Sequence, residues 1–277
     1  MNEYATPVAS GLLVVKYGGN AMGAEASGGG AVSDPVLREI AGLWAAGTRI
    51  VLVHGGGPEI DRALAQRGIP TRRIDGMRVT DAPTLESTEA VLCGTINKRI
   101  VRDCTALGIP AAGISGQDGK TLVAGKLLPE SGADLGFVGE VVACDPKLLH
   151  ALLDAGFLPV VAPLAIATDA AHAYNVNADL AAAAIAGALK ASAFILITNV
   201  PRVLRDPSDP TSGIDRLTIA EARTFAATDA CDGGMKPKMD AAIRAVADGA
   251  LASYISCAAE NGIRAAIELG NATVVTL

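Results

Sequence analysis

Apolar runs too short to be helices alternate with helix-patterned stretches along most of this chain. LLVVK (12–16), RIVLVH (49–54), AAGI (111–114), LPVVA (158–162), AFILIT (193–198) and a final run near 272–275 read as strands. These runs show little apolar–polar alternation, so each strand expects cover on both faces. The intervening stretches 34–46, 58–67, 84–107, 146–155, 179–189, 219–226 and 238–249 carry helical periodicity. The first opens on Asp34-Pro35, an N-cap residue followed by proline at the first helical turn. Strand and helix taking turns in this way predict an α/β fold whose mainly parallel sheet is sandwiched between helices. Ligands in such folds bind beyond the carboxyl ends of the strands, so the residues just after each run carry the functional information.

Composition narrows the function classes. Half of the 277 residues are hydrophobic and 19% are charged, which is enough apolar mass for a large core and too little charge for disorder. The net charge of −6, with no basic run, argues against nucleic acid. Cysteines at 93, 104, 144, 231 and 257 form no C-x-x-C pair, and the three histidines form no H-E-x-x-H. Neither a disulfide framework nor a protein-held metal site is expected, and a reducing cytoplasmic setting follows. The first ten residues lack the basic start and apolar core of a signal peptide. The apolar segment 180–200 is long enough to span a membrane, but Lys190 sits at its centre and its texture changes from alanine-rich to Ile/Phe-rich. It reads as a buried helix followed by a buried strand, with no membrane contact.

Five short constellations stand at strand ends or helix starts. Lys16-Tyr17-Gly18-Gly19-Asn20 closes the first strand: its glycines admit a close ligand, and its lysine can reach phosphate. A tight turn with a solvated lysine is the plainer alternative. His54-Gly55-Gly56-Gly57-Pro58 follows the second strand, and three glycines before a helix offer a nest of N–H groups to an anion. It matches neither G-x-G-x-x-G nor the Walker spacing. Gly76-Met77-Arg78-Val79-Thr80 presents an arginine suited to a carboxylate, or simply a surface arginine. Tyr174-Asn175-Val176-Asn177-Ala178-Asp179 precedes the alanine-rich helix. If extended, it puts Asn175, Asn177 and Asp179 on one side, although Asp179 could equally be an N-cap. Gly233-Gly234-Met235-Lys236-Pro237-Lys238 joins glycines and lysines at a helix start, a combination that suits phosphate.

In their order along the chain these constellations resemble the amino-acid kinase family, and within it the acetylglutamate kinases. The stretches KYGGNAM, VLVHGGGPEID, DGMRVT, VLCGTINK, GISGQDG, LGFVGEV, YNVNADLAAAAIA and GGMKPKMDAAI carry the likeness from about residue 12 to 249. The resemblance implies a three-layer α/β/α sandwich. An amino-terminal lobe (1–190) would bind the acyl amino acid and dimerise, and a carboxy-terminal lobe (191–277) would bind ATP. It implies phosphorylation of the side-chain carboxylate of N-acetyl-L-glutamate, with Mg²⁺ carried on the nucleotide phosphates. Lys16 and Lys238 would stabilise the phosphoryl group in flight, and Asp179 would hold both lysines. Gly56 and Gly57 would offer N–H groups on the acceptor side, with Arg78, Asn175 and Asn177 binding the substrate's carboxylate and α-substituents. Gly18, Gly19, Thr198, Asn199 and Lys236 would face the nucleotide.

The chain departs from the family pattern in two places. ITNVPRVL places Asn199 and Arg202 where Asp-Val-x-Gly is usual, and the tail lacks the customary Asp-Gly-Arg and Gly-Thr signals. About ten residues precede the first strand, where arginine-inhibited members carry an extra helix, so a dimer without marked arginine inhibition is expected. A PII-type regulatory partner stays undecided. The rival readings are a carrier-linked aminoadipate kinase and a non-catalytic amino-acid sensor on the same fold.

Overall fold

The computed structural model describes residues 11–18, 34–129, 131–258, 262–268 and 270–277. Gly19, Asn20 and the Gly28–Gly30 loop lie outside them. The elements begin with β1 (Leu12–Tyr17), α1 (Pro35–Ala45), β2 (Arg49–His54), α2 (Gly57–Gln66), β3 (Arg73–Ile74), β4 (Met77–Arg78) and α3 (Ala82–Glu89). A π-helical segment, Ala90–Ile96, runs straight into α4 (Asn97–Ala106). Then come β5 (Ala111–Ser115), β6 (Leu122–Lys126), β7 (Val138–Cys144), α5 (Lys147–Asp154), β8 (Leu158–Ala162), β9 (Leu164–Ala167) and β10 (Ala173–Val176). The chain finishes with α6 (Ala178–Ala188), β11 (Ala193–Thr198), β12 (Arg216–Thr218), α7 (Ile219–Ala226), α8 (Lys236–Ala247), β13 (Ser253–Cys257), α9 (Gly262–Glu268) and β14 (Thr273–Thr276).

Eight strands form the main sheet in the order β12-β14-β13-β11-β1-β2-β8-β5. Every neighbouring pair is parallel except β13 with β14. Both faces are buried, as the unbroken apolar runs require. Val14, Val51 and Val53 belong to one core, while Leu13, Val15, Ile50 and Leu52 belong to the other. β1 lies near the middle of the sheet between β2 and β11, so Lys16 near its end is flanked by the ends of both.

The single-sheet expectation is incomplete. β10, β7, β6 and β9 close into a small separate barrel. β6 and β7 each carry an internal glycine, and β9 and β10 are only four residues long, which hides them in the sequence. Gly139 is required there, because a Cβ would stand 2.5 Å from the Tyr174 Cβ where β7 meets β10. The long helix expected over 84–107 is also corrected. It starts at Ala82, capped by the Asp81 side chain on Thr84 N, and widens into the π segment at Ala90–Ile96. A π turn keeps apolar periodicity approximately helical while shifting the phase of the turns after it, so pattern alone does not reveal it.

The segment 180–200 resolves into α6 and β11 as expected, and no helix among the described residues is long and apolar enough to cross a membrane. Alanine gives α6 a slim profile that lets it pack against the sheet and α8 together. Gly187 permits a close approach: a Cβ there would meet the Asp248 Cβ at 2.4 Å. This close packing brings the first turn of α8 over the first turn of α6.

Candidate active site

Asp179 is the centre of the site. β10 ends at Val176, and Asn177, with extended φ/ψ, caps α6 by accepting from Asp179 N (2.8 Å) and Leu180 N (3.2 Å). The cap is therefore Asn177, not Asp179, and the extended alternation stops at Asn177. This frees the Asp179 carboxylate to point elsewhere. Lys16 Nζ, from β1, lies 2.8 Å from its Oδ1, and Lys238 Nζ, from α8, lies 2.9 Å from Oδ2. Lys16 and Asp179 are both buried. Burial alone would raise the Asp179 pKa, but the charges of Lys16 and Lys238 and their hydrogen bonds prevail and hold it below the ordinary carboxylate value.

The arrangement carries excess positive charge. One carboxylate balances one of two ammoniums, and Lys236 adds a third at the first position of α8. Lysines in a helix's first turn oppose the macrodipole. Lys236 and the N-terminus of α8 thus add positive charge beside a Lys238 that Asp179 already pairs. Lys236 is exposed, and with Arg223, Arg244 and Asp240 it lines a cavity of about 530 Å³ between α7 and α8. Lys16 and Asp179 do not line that cavity.

The two glycine loops meet beside Lys16. Gly55 N donates to Tyr17 O at 3.0 Å. A Cβ on Gly18 would stand 2.8 Å from Lys16 Nζ and 3.3 Å from Gly55 N, so glycine there leaves room for the ammonium. Gly56 caps α2 and Gly57 is its first residue. Among the described residues neither N–H finds a protein acceptor. The two positions differ sharply. A Cβ on Gly56 would meet Ile96 Cδ1 at 2.3 Å and Leu92 Cδ2 at 2.8 Å, both from the π segment, whereas one on Gly57 would meet nothing within 4 Å. A larger residue at 56 would have to displace those buried side-chain ends.

Arg78 joins this side. Its guanidinium donates to Gly57 O at 3.2 Å and pairs with Asp61. Its own carbonyl accepts from Thr80 Oγ1 at 3.0 Å, and Thr80 Oγ1 accepts from Asn175 Nδ2 at 3.3 Å. Asn175 is thus linked to Arg78, and through it to the glycine loop, by Thr80, a fully buried hydroxyl that closes the third motif but was given no role there. Asn177 is exposed, with its side-chain oxygen committed to the helix cap.

On the other side, Thr198 ends β11 and is buried, with its Oγ1 accepting from Val200 N at 3.2 Å. Asn199 follows, exposed at the strand's carboxyl end. Arg202, the residue unusual for this position, turns away to the tail: Nη2 donates to Gly270 O at 3.1 Å and Nη1 pairs with Asp215 at 2.6 Å. It acts as a strut between the 200-loop and the tail. Both departures from the family pattern therefore meet in one contact. Gly19 lies outside the described residues.

A second buried network ties the first residue of the second motif to Asn97, which lies outside the five motifs. His54 is fully buried, its Nδ1 is 2.8 Å from Gly55 O, and its Nε2 is 3.3 Å from Asn97 Nδ2. Burial drives its pKa down to about 4, so it is neutral at pH 7. The signal available in the sequence was Asn97, a polar residue on the apolar face of the 84–107 pattern.

Residues 11–256 match the amino acid kinase family. Over 253 residues the chain is 42% identical to the acetylglutamate kinase of Acaryochloris marina, covering 91% of this chain and 86% of the relative. Among solved structures, N-acetylglutamate synthase from Neisseria gonorrhoeae superposes with a TM-score of 0.79 at 23% identity, covering 99% of this chain and 61% of that one. Carbamate kinase from Giardia lamblia bound to AMP-PNP gives 0.70 at 18%, covering 97% and 99%. These two structures share the fold while differing in named activity, so it is the sequence match and the Lys16–Asp179–Lys238 geometry that point to chemistry. The chain belongs to the amino acid kinase family.

Proposed function

We propose that this protein is an acetylglutamate kinase, transferring the γ-phosphoryl group of ATP to the side-chain carboxylate of N-acetyl-L-glutamate to give an acyl phosphate and ADP. The observation that carries the reading is the buried Asp179 carboxylate holding Lys16 and Lys238 at 2.8 and 2.9 Å. The acceptor is already ionised at pH 7 and has no proton to lose. No general base is needed, and His54, neutral and buried with both ring nitrogens engaged, supplies none. Two anions must be brought together, so catalysis reduces to positioning and neutralisation of charge.

Lys16 and Lys238 would stand on the equatorial oxygens of the phosphoryl group, with Asp179 fixing both as an orienter. Gly56 and Gly57 N–H groups would receive the acceptor and the migrating oxygens. Arg78 and Asn175 would hold the α-carboxylate and acetamido group, with Asn177 at the edge. Gly18, Gly19, Thr198, Asn199 and Lys236 would line the nucleotide side. Mg²⁺ would be carried by the nucleotide phosphates. Bound to ATP, that ion would neutralise phosphate charge. Residues 1–190 would form the acyl-amino-acid lobe and 191–277 the ATP lobe of a cytoplasmic homodimer, whose size light scattering would report.

The test is hydroxylamine trapping of the acyl phosphate in the presence of ATP, Mg²⁺ and N-acetyl-L-glutamate. Hydroxamate formation is expected. Its absence from folded protein would overturn the assignment in favour of a sensor or another acceptor.

A further inference from the structure

Asn97 opens α4 directly after the π segment, and its Nδ2 faces two backbone carbonyls, Val160 O at 2.9 Å and Ile114 O at 3.2 Å. Carbonyls only accept, so they fix which end of the amide is nitrogen. Its Oδ1 turns the other way and accepts from Lys98 Nζ at 3.2 Å. A side chain oriented in this manner turns its NH2, and not its oxygen, toward His54 Nε2 at 3.3 Å; its two hydrogens are shared among three acceptors, and the amide nitrogen has no lone pair to receive an Nε2–H. Nε2 must then be bare, and the ring hydrogen sits on Nδ1. There it donates to Gly55 O at 2.8 Å, again an atom that can only accept.

Gly55 O belongs to the peptide that joins Gly55 to Gly56. The chain has no cis peptide among its described residues. In a trans peptide the C=O and the N–H point in opposite directions. Holding the carbonyl against the imidazole therefore aims the Gly56 N–H away from it. Glycine at both ends gives this peptide unusual freedom to flip. Leu92 and Ile96 pack over Gly56 from the π segment, and Asn97 follows as the first residue of α4, so one continuous helical stretch supplies both the packing and the hydrogen-bond anchor.

The geometry points to His54 as a positioning residue: its Nδ1–H, kept on that nitrogen by Asn97, locks the Gly55–Gly56 peptide so that the Gly56 N–H faces the reacting oxygens. This rests on the reading of Gly56 as an acceptor-side donor and adds the device that orients it. His54 acts without touching substrate. Its contribution is to turnover, because a donor aimed at developing charge matters most in the transition state.

Two substitutions separate this role from packing. In His54→Asn, the side-chain N–H can occupy the place of Nδ1–H. In His54→Gln, the longer side chain reaches toward Asn97 and leaves Gly55 O without its donor. His54→Gln should lower kcat at least about tenfold, a fraction of what losing an oxyanion donor outright costs. KM for ATP should hold within about twofold. His54→Asn should keep kcat within about threefold, although it leaves the larger void and the lower thermal midpoint. The reverse order, or kcat following thermal stability in both variants, would overturn the proposal. If neither variant folds, the wild-type protein decides the matter by two-bond ¹H–¹⁵N correlation of its three histidines. The Nδ1–H tautomer of His54 at pH 7 supports the lock, and an Nε2–H or doubly protonated ring refutes it. Wild-type turnover of N-acetyl-L-glutamate tests the substrate reading separately. If another acceptor proves to be the substrate, the same two variants are scored on it.

Discussion

Asp179→Asn removes the one negative charge between two ammoniums while keeping the shape of the side chain. At 2.8 and 2.9 Å, each pair is worth about 6 kcal/mol of Coulomb attraction at an effective dielectric of ~20. Desolvation of three ions offsets much of that, so the sum is no measure of stability. The asymmetry survives: removing one partner strands Lys16, whose side chain is 9% exposed, as an uncompensated charge. Breaking a buried pair this way costs about 3–5 kcal/mol. Lys238, at 21% side-chain exposure, can relax toward water and bears less of the penalty. Urea unfolding should therefore show a loss of about 3 kcal/mol or more, and phosphate or ADP should recover part of it by supplying the missing negative charge. Turnover in the hydroxylamine assay should fall together with stability, because neither lysine remains fixed. The stabilisation that depends on the ionised carboxylate should also be lost in the wild type at acid pH. Since the Asp179 pKa is depressed in the folded state, its stabilisation is complete above the unfolded value of 3.8 and disappears as pH falls through the folded one. An Asp179→Asn protein within about 1 kcal/mol of wild type, with kcat intact, would refute the reasoning.

Replacing either Lys16 or Lys238 by alanine should lower kcat by ~10²–10³, the usual cost of a lost transition-state donor; near-normal turnover in steady-state kinetics would remove that lysine from the mechanism. The triple glycine should split by position. Gly57→Ala meets no protein atom, so its thermal midpoint should hold while KM for the acceptor rises; Gly56→Ala must displace Ile96 and Leu92 and should lose about 1–3 kcal/mol in calorimetry. His54 gives a pH signature. Its folded pKa of about 4 lies below the unfolded 6.5, so the unfolded chain gains a proton first on acidification. Stability should be full above pH 6.5 and fall by ~3 kcal/mol as pH drops to about 4; in urea titrations His54→Asn should lose that slope relative to wild type.

Much of the architecture was legible because its signals are local. β2, β8, β11 and α7 fall where their apolar runs and caps place them. A buried parallel strand must be apolar throughout, and a helix must begin with a cap, wherever else the chain goes. The glycine and lysine constellations were legible for a similar reason: they need a particular backbone at the end of a strand or the start of a helix. The small barrel was not legible, since β6 and β7, interrupted by Gly125 and Gly139, close it through β9 and β10, partners distant in sequence, rather than through their own pattern. Nor was the division of labour within the motifs. Asn177 and Asp179 are two residues apart, yet one caps a helix and the other binds two lysines, a difference set by where the backbone turns from β10 into α6. Gly56 and Gly57 are adjacent and chemically identical, yet only Gly56 lies under Ile96. The sequence by itself determined a doubly covered parallel sheet and the residue types able to handle phosphate. Tertiary structure alone decided that Lys16 and Lys238 share one carboxylate, and that Asn97 reaches His54, because such contacts join side chains whose meeting depends on the packing of α6, α8 and the π segment against the sheet.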